Sequence, residues 1–226
     1  MSLESEKVFT PAGTQAVLFD LDGTFADTAP DLAYALNRMR STRCLSPVPL
    51  SATRPVTSMG ARGMLQTGFG LSPTDPGYDA LREEFLRLYE ENICRETRIF
   101  PGMEALIADL RARGLRWGIV TNKAERYAKT LIVALGFDAH CACIVGGDTA
   151  GHLKPHPAPL LAACGMLDLP PARCLYVGDD ERDVQAGRAA GMRTAAVRYG
   201  YLNGGTPDAW DADFVIDRPQ DLLGFL

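Results

Sequence analysis

The sequence predicts an α/β fold in which a parallel sheet carries a helical insert after its first strand. From about Glu104 onward, helix-like and strand-like stretches alternate. Repeated βα units of this kind form parallel sheets with right-handed crossovers. Between about Ala29 and Arg98 the alternation stops, and two helical patterns flank a stretch rich in Gly, Pro, Ser and Thr. We interpret that segment as the insert.

Each element follows from its own pattern. The apolar run 16–19 predicts a buried strand that ends in a tight turn. Helical spacing predicts the two helices of the insert, over 32–40 and 78–93. The elements then predicted are helix 104–113, strand 115–120, helix 125–135, strand 143–145, helix 159–164, strand 174–177, helix 184–190, strand 194–197 and strand 214–216.

Composition excludes several classes of partner. The net charge of −5, with no basic run, argues against nucleic acid. No segment reaches the roughly 18 apolar residues that span a bilayer, and the first seven residues lack the apolar core of a signal peptide. The six cysteines contain no CxxC pair, and the CxC of Cys141 and Cys143 is a weak metal signal. We therefore expect a cytoplasmic monomer or homodimer with no membrane partner.

The most informative motif is Asp20-Leu21-Asp22-Gly23-Thr24, directly after the first strand. Residues i and i+2 of a strand point to the same face, so Asp20 and Asp22 are expected to face one site. That site lies at the carboxyl end of the strand, where open α/β sheets bind ligands. Two carboxylates so close repel each other unless a cation lies between them or one keeps its proton. The alternative is an acidic β-turn.

Three further polar groups follow later strands. Thr121, with Asn122 and Lys123 after it, offers a hydroxyl and backbone N–H groups at a helix start, which suit a phosphate. Lys154 precedes a helix and offers a point charge to an oxyanion, although a solvated loop lysine is the alternative. The run 178–183 supplies carboxylates for a hard cation.

Together these motifs resemble those of the haloacid dehalogenase-like (HAD) hydrolases over nearly the whole chain. The four motifs occur in the family's order: Asp20 to Thr24, Thr121, Lys154, and Gly178-Asp179 with Asp183. The resemblance implies a Rossmann-like core over 14–28 and 99–226, with a small helical cap over 29–98. It also implies Mg²⁺ and a phospho-aspartyl intermediate.

The resemblance implies a catalytic role for each matching residue. Asp20 attacks phosphorus, while Asp22 protonates the leaving alkoxide and later deprotonates the hydrolytic water. Thr121 and Lys154 bind the phosphoryl oxygens, with Asn122 beside them in the substrate site.

The implied metal site uses the acidic residues of the first and last motifs. The carboxylates of Asp20 and Asp179 and the backbone carbonyl of Asp22 hold Mg²⁺. Asp183 supports the waters of the metal or Lys154. Asp180 is a weaker candidate for the same metal.

Departures from other branches of the family favour a phosphatase. Dehalogenases of the family lack an aspartate at the position of Asp22. The insert contains no lysine or histidine, the residues that a phosphonatase or a phosphohexomutase of the family uses there. A phosphomutase and a non-catalytic binding protein therefore remain lesser alternatives.

The expected substrate is a small phosphorylated metabolite. The stretches 27–32 and 60–63 resemble the cap of phosphoglycolate phosphatases, a group that also includes N-acetylmuramic acid 6-phosphate phosphatases. We expect 2-phosphoglycolate, with Arg62 binding its carboxylate in a bidentate contact. A surface role for Arg62 is the alternative, as is N-acetylmuramic acid 6-phosphate or another sugar phosphate as substrate.

Overall fold

The computed structural model describes residues 13–226, so the segment for which no signal peptide is expected lies outside the described range. A six-stranded parallel sheet forms the centre of the molecule, as predicted. The described residues form eight strands, of which β2 and β3 form a separate two-stranded sheet. In chain order the strands are β1 (Ala16–Phe19), β2 (Ala26–Asp27), β3 (Arg98–Ile99), β4 (Arg116–Val120), β5 (Ile144–Val145), β6 (Cys174–Gly178), β7 (Arg193–Val197) and β8 (Phe214–Ile216).

The order of the strands places the site. The sheet runs β5-β4-β1-β6-β7-β8, so β1 lies between β4 and β6. Phe19 pairs with Ile119 on one side and with Val177 on the other. Because all these strands are parallel, their carboxyl ends meet at one edge of the sheet. The motif residues that follow them therefore converge there.

Helices cover both faces of the sheet. They are α1 (Ala29–Ser41), α2 (Leu50–Thr53), α3 (Gly60–Phe69), α4 (Tyr78–Glu90), α5 (Met103–Ala112), α6 (Glu125–Ala134), α7 (Ala158–Leu167) and α8 (Glu181–Ala189). Val17 and Phe19 of β1 share a buried cluster with α5 and α6, whereas Ala16 and Leu18 share another with α7 and α8. This alternation explains why β1 is apolar at every position.

The hydrophobic residue after the first motif is also explained by packing. This residue, Phe25, follows Thr24 directly. Its ring stacks on Trp117, with centroids 5.3 Å apart, and meets the edge of Phe137. Both Phe25 and Trp117 are buried, so this aromatic cluster packs the core beside the motif.

Sequence patterns missed α3, which occupies part of the stretch rich in Gly, Pro, Ser and Thr. Its glycines have low helix propensity, but they permit close packing. A Cβ atom on Gly63 would lie 2.5 Å from the carbonyl oxygen of Val56, and one on Gly68 would overlap Leu36 of α1. Tertiary contact therefore outweighs local propensity here. The two-residue strands β2 and β3 were also missed, since they are too short to show alternation.

The ends of the helical segment lie side by side. β2 and β3 form an antiparallel ribbon in which Ala26 pairs with Ile99 and Asp27 with Arg98. Helices α1 to α4 lie between these two strands in the sequence. The division into a core (14–28 and 99–226) and a cap (29–98) remains a prediction.

Among residues 13–226, no helix is both long enough and apolar enough to cross a membrane.

A buried carboxylate ties the start of α1 to the returning chain. Asp31 is fully buried. It accepts hydrogen bonds from the backbone N–H groups of Glu96 and Thr97, each at 2.9 Å, and from the Thr97 hydroxyl at 2.7 Å. These donors lie just before β3, so one side chain fixes both ends of the helical segment.

We predict that Asp31→Ala lowers the free energy of unfolding by about 3 kcal/mol, because the buried N–H and hydroxyl donors of Thr97 lose a charged acceptor. Urea denaturation followed by circular dichroism measures the change. Glu83→Ala, at an exposed position of α4, is the control and should have little effect. Equal stability of the two variants would contradict this role of Asp31.

Candidate active site

Three carboxylates cluster at the carboxyl edge of the sheet. Asp20, Asp179 and Asp183 each offer an oxygen atom, and these atoms lie within 4.8 Å of one another. All three side chains are buried. Asp20 follows β1 and Asp179 follows β6, while Asp183 lies in the first turn of α8. Buried like charges at this separation need compensating positive charge.

Lys154 supplies part of that charge. Its Nζ atom lies 2.9 Å from Oδ1 of Asp20 and donates a hydrogen bond of 2.7 Å to Oδ1 of Asp183. It also donates to the Tyr176 hydroxyl, at 2.7 Å. Burial disfavours the ammonium, but the carboxylates of Asp183 and Asp20 outweigh that effect and raise the pKa of Lys154. The side chain is a buried charge partner, and the solvated alternative is wrong.

The remaining carboxyl groups still favour a further cation. Burial, with the nearby Asp20, raises the pKa of Asp179 well above its ordinary value. Burial also raises the pKa of Asp183 to about 6, although Lys154 opposes the rise. Asp179 is held by the Thr24 hydroxyl at 3.0 Å and by the backbone N–H of Tyr201 at 2.8 Å. An all-oxygen donor set with excess negative charge fits a hard divalent cation.

The carboxylate of Asp22 has a different partner. Lys123 donates to both of its oxygens, at 2.9 and 3.0 Å, and the Thr28 hydroxyl donates at 2.5 Å. The three-carboxylate cluster does not include Asp22. Its predicted contribution to the metal site, through the backbone carbonyl, remains a prediction.

Lys123 is a site residue that sequence reasoning did not assign. The exposed fraction of its side chain is 9%, and its Nζ atom lies 4.8 Å from the ring centroid of Tyr89 on α4. Burial disfavours its charge, but Asp22 raises the pKa of Lys123 above its ordinary value. The available signal was its position directly after Thr121 and Asn122 in a chain with only four lysines.

Thr121 and Asn122 lie in the loop after β4. The Thr121 hydroxyl accepts a hydrogen bond of 3.2 Å from the backbone N–H of Lys123. The Asn122 side chain bonds the backbone of Lys154, with its Nδ2 atom donating to the carbonyl at 3.1 Å and its Oδ1 atom accepting from the N–H at 2.8 Å. Asn122 thus positions the lysine loop, and its contact with substrate remains a prediction.

The side chain of Asp180 binds an arginine and caps a helix. It forms a capping box with Asp183 at the start of α8. Arg182 donates to its two oxygens at 2.7 and 2.8 Å and also reaches the carbonyl of Ser58 at 3.2 Å. Burial would raise the pKa of Asp180, but Arg182 lowers it. Asp180 is therefore outside the metal cluster, and Arg182, which the sequence did not indicate, links α8 to the helical insert.

A cavity of about 880 Å³ lies above this edge of the sheet, between the core and the helical insert. Asp179 is fully buried and does not line it. The predicted site residues that do line it are Asp20, Asp22, Arg62, Thr121, Asn122, Lys154 and Asp183. The structure therefore brings the predicted catalytic groups together and adds an arginine from α3.

The sequence model of the family described as haloacid dehalogenase-like hydrolase matches residues 17–197. The chain belongs to this HAD hydrolase family. The match begins in β1 and ends in β7, and it includes every carboxylate and lysine of the site.

Curated relatives of this HAD hydrolase carry two different names. It is 44% identical to an N-acetylmuramic acid 6-phosphate phosphatase of Pseudomonas putida, over 92% of this chain and 94% of that protein. It is 43% identical to a phosphoglycolate phosphatase of Xanthomonas campestris pv. campestris, with the same coverage. A crystal structure described as a predicted phosphoglycolate phosphatase from Haemophilus somnus 129PT has a TM-score of 0.84, with 27% identity, and covers 96% of this chain and 98% of that one. The chain is a phosphatase of the HAD family.

We predict that Lys123→Met lowers kcat/KM for p-nitrophenyl phosphate about 10–100-fold, the equivalent of about 1.5–3 kcal/mol for a hydrogen bond to a charged group. The variant leaves Asp22 without its cation and adds net negative charge opposite a phosphate dianion. Lys129→Met, which removes an exposed lysine of α6, is the control. Circular dichroism checks that both variants are folded. A folded Lys123→Met enzyme with wild-type kcat/KM would contradict the prediction.

Proposed function

We propose that this HAD phosphatase hydrolyses phosphomonoesters through a phospho-aspartyl intermediate on Asp20, with Mg²⁺ as its metal. The observation that supports it best is the setting of Asp20. Its carboxylate lies at the end of β1, 2.9 Å from the Lys154 ammonium, and faces a cavity that Asp22 also lines. A nucleophile, a cation and an acid–base group thus share one surface.

In the first half-reaction, a carboxylate oxygen of Asp20 attacks phosphorus and the bond from phosphorus to the alcohol oxygen breaks. Lys154 and the hydroxyl of Thr121 bind the phosphoryl oxygens. Asp22 gives a proton to the departing alcohol oxygen, so that the alcohol leaves neutral. Lys123 holds the Asp22 side chain toward the cavity.

In the second half-reaction, Asp22 removes a proton from water, which attacks the phosphoryl group on Asp20. The bond from phosphorus to the Asp20 oxygen breaks, and inorganic phosphate is released. Bound by Asp20, Asp179 and the Asp22 carbonyl, with Asp183 beside them, Mg²⁺ would screen the Asp20 carboxylate from the phosphate dianion.

Two substrates are supported by separate observations. 2-Phosphoglycolate is supported by the Xanthomonas relative and by Arg62, which lines the cavity and suits a carboxylate. N-Acetylmuramic acid 6-phosphate, which also carries a carboxylate, is supported by the Pseudomonas relative and by the cavity volume. About 880 Å³ lies high in the range of roughly 300–1,000 Å³ typical of pockets for drug-sized ligands.

We further propose that the enzyme works in the cytoplasm as a monomer or homodimer. The unpaired state of its six cysteines supports the location, because reducing compartments keep thiols free. The net charge of −5 supports the absence of a nucleic-acid partner.

We predict that Asp20→Asn lowers kcat for p-nitrophenyl phosphate by at least about 1,000-fold, because the amide is a poor nucleophile. Asp148→Asn is a matched control, since Asp148 lines the same cavity outside the carboxylate cluster. Rapid quenching and mass spectrometry should detect a phosphorylated peptide that contains residue 20 in the wild type. Near wild-type turnover by folded Asp20→Asn protein would reject the covalent role.

We predict that Mg²⁺ raises the Tm of EDTA-treated protein more above pH 7 than near pH 5. The pKa of Asp183, raised to about 6, means that metal-free protein loses stability as the pH rises through that value. Protonated carboxyl groups are poor ligands, so metal binding weakens below it. Differential scanning fluorimetry at both pH values measures the shift. A Tm that Mg²⁺ leaves unchanged at both pH values would refute the metal site.

A further inference from the structure

One face of α4 forms a wall of the active-site cavity. Tyr78, Arg82, Phe85, Leu86 and Tyr89 all line the cavity. Their spacing of three to four residues per turn places them along one side of the helix. We call these five residues the α4 wall.

The wall combines apolar area with one buried hydroxyl group. Its three aromatic side chains are almost wholly buried, so Arg82 and Leu86 supply most of the surface that a ligand can reach. The hydroxyl of Tyr89 is buried beside the Lys123 ammonium group, and it donates to no acceptor among residues 13–226. A buried hydroxyl beside a cavity gains stability when a ligand supplies a hydrogen bond. The wall therefore suits an organic group with both apolar and polar surface.

Charge adds a second requirement. Most cations around the cavity are already paired, and the pairs are Lys123 with Asp22, Lys154 with Asp20 and Asp183, Arg182 with Asp180, and Arg126 with Glu90. Within the described part of the chain, Arg82 on α4 and Arg62 on α3 have neither an ion pair nor a hydrogen bond. Two unpaired guanidinium groups at one cavity favour an anionic substituent on the ligand, and a carboxylate fits them by bidentate contact.

We propose that the α4 wall selects the alcohol half of the substrate: a ring of monosaccharide size that lies in the cavity beside Leu86 and carries a carboxylate bound by Arg82. This inference rests on the proposed function and adds to it the size and charge of the leaving group. The phosphate binds at Asp20 and Lys154, and the ring extends from it toward α4. A two-carbon acid would leave most of the wall unused.

The first experiment compares four substrates with the wild-type enzyme and Mg²⁺. They are N-acetylmuramic acid 6-phosphate, N-acetylglucosamine 6-phosphate, 2-phosphoglycolate and p-nitrophenyl phosphate. The first two share a ring and differ by the carboxylate-bearing group. We expect kcat/KM for the carboxylated sugar phosphate to exceed that for each of the next two by at least about 10-fold. A 10-fold preference for 2-phosphoglycolate would overturn the proposal.

The second experiment tests Arg82 by the ratio of kcat/KM for the two sugar phosphates. Arg82→Ala should lower this ratio about 10–100-fold, and Arg82→Lys should restore part of it. Arg87→Ala is the matched control, because Arg87 lies on the same helix, outside the cavity, paired with Glu91. A ratio unchanged in Arg82→Ala would overturn the assignment of Arg82.

The two proposals fail differently. If no phosphomonoester in the panel is turned over, the proposed function itself is wrong. If p-nitrophenyl phosphate is hydrolysed but the ring and carboxylate preferences are absent, the function stands and the role of the α4 wall is wrong.

Discussion

The buried ammonium group of Lys154 contacts two of the carboxylates on which the site depends, those of Asp20 and Asp183. Removing one partner from a buried charge pair costs about 3–5 kcal/mol, because the other charge is left uncompensated. With Lys123, the site has two ammonium groups against the four carboxylates of Asp20, Asp22, Asp179 and Asp183. When all are ionised, two negative charges remain, which is the charge that one divalent cation neutralises. The charges of the site therefore fit the divalent cation that we propose.

Strand pairing and hydrogen bonds to the backbone hold the charged side chains of the site in place. Parallel pairing aligns the ends of β1, β4 and β6, and the Asn122 side chain bonds the backbone of the Lys154 loop to the loop after β4. The capping box at α8 fixes the side chain of Asp183. Its carboxylate accepts one hydrogen bond from Lys154 and another from the backbone N–H of Asp180. The groups that stabilise local structure are thus the groups that arrange the site.

In the proposed reaction, the helical insert contacts the other half of the substrate. Asp31 joins its two ends, and Arg182 joins it to α8 through the carbonyl of Ser58. Close packing at Gly68 sets α3 against α1, and α4 contributes the wall of the cavity. Our proposals therefore place phosphoryl chemistry at the sheet edge and recognition of the leaving group on the insert.

The sequence by itself determined the α/β class, the parallel sheet and the convergence of Asp20, Thr121, Lys154 and Asp179. These follow from local patterns, because apolar runs mark strands and parallel strands bring their carboxyl ends to one edge. Short elements and glycine-rich α3 escaped prediction, since packing and not propensity forms them.

Only the tertiary structure decided which charges pair. Asp22 and Lys123 lie 101 positions apart, and Arg182 and Ser58 lie 124 apart, yet each pair is in direct contact. No local pattern encodes such a distance. The α4 wall is similar: its spacing marks an amphipathic helix, but only the packing of α4 against the rest of the insert decides that this face meets the active-site cavity. The partner of a side chain that lies far away in the sequence depends on how separate helices and strands pack together. Local patterns predict each of these elements, but they do not predict the packing between them.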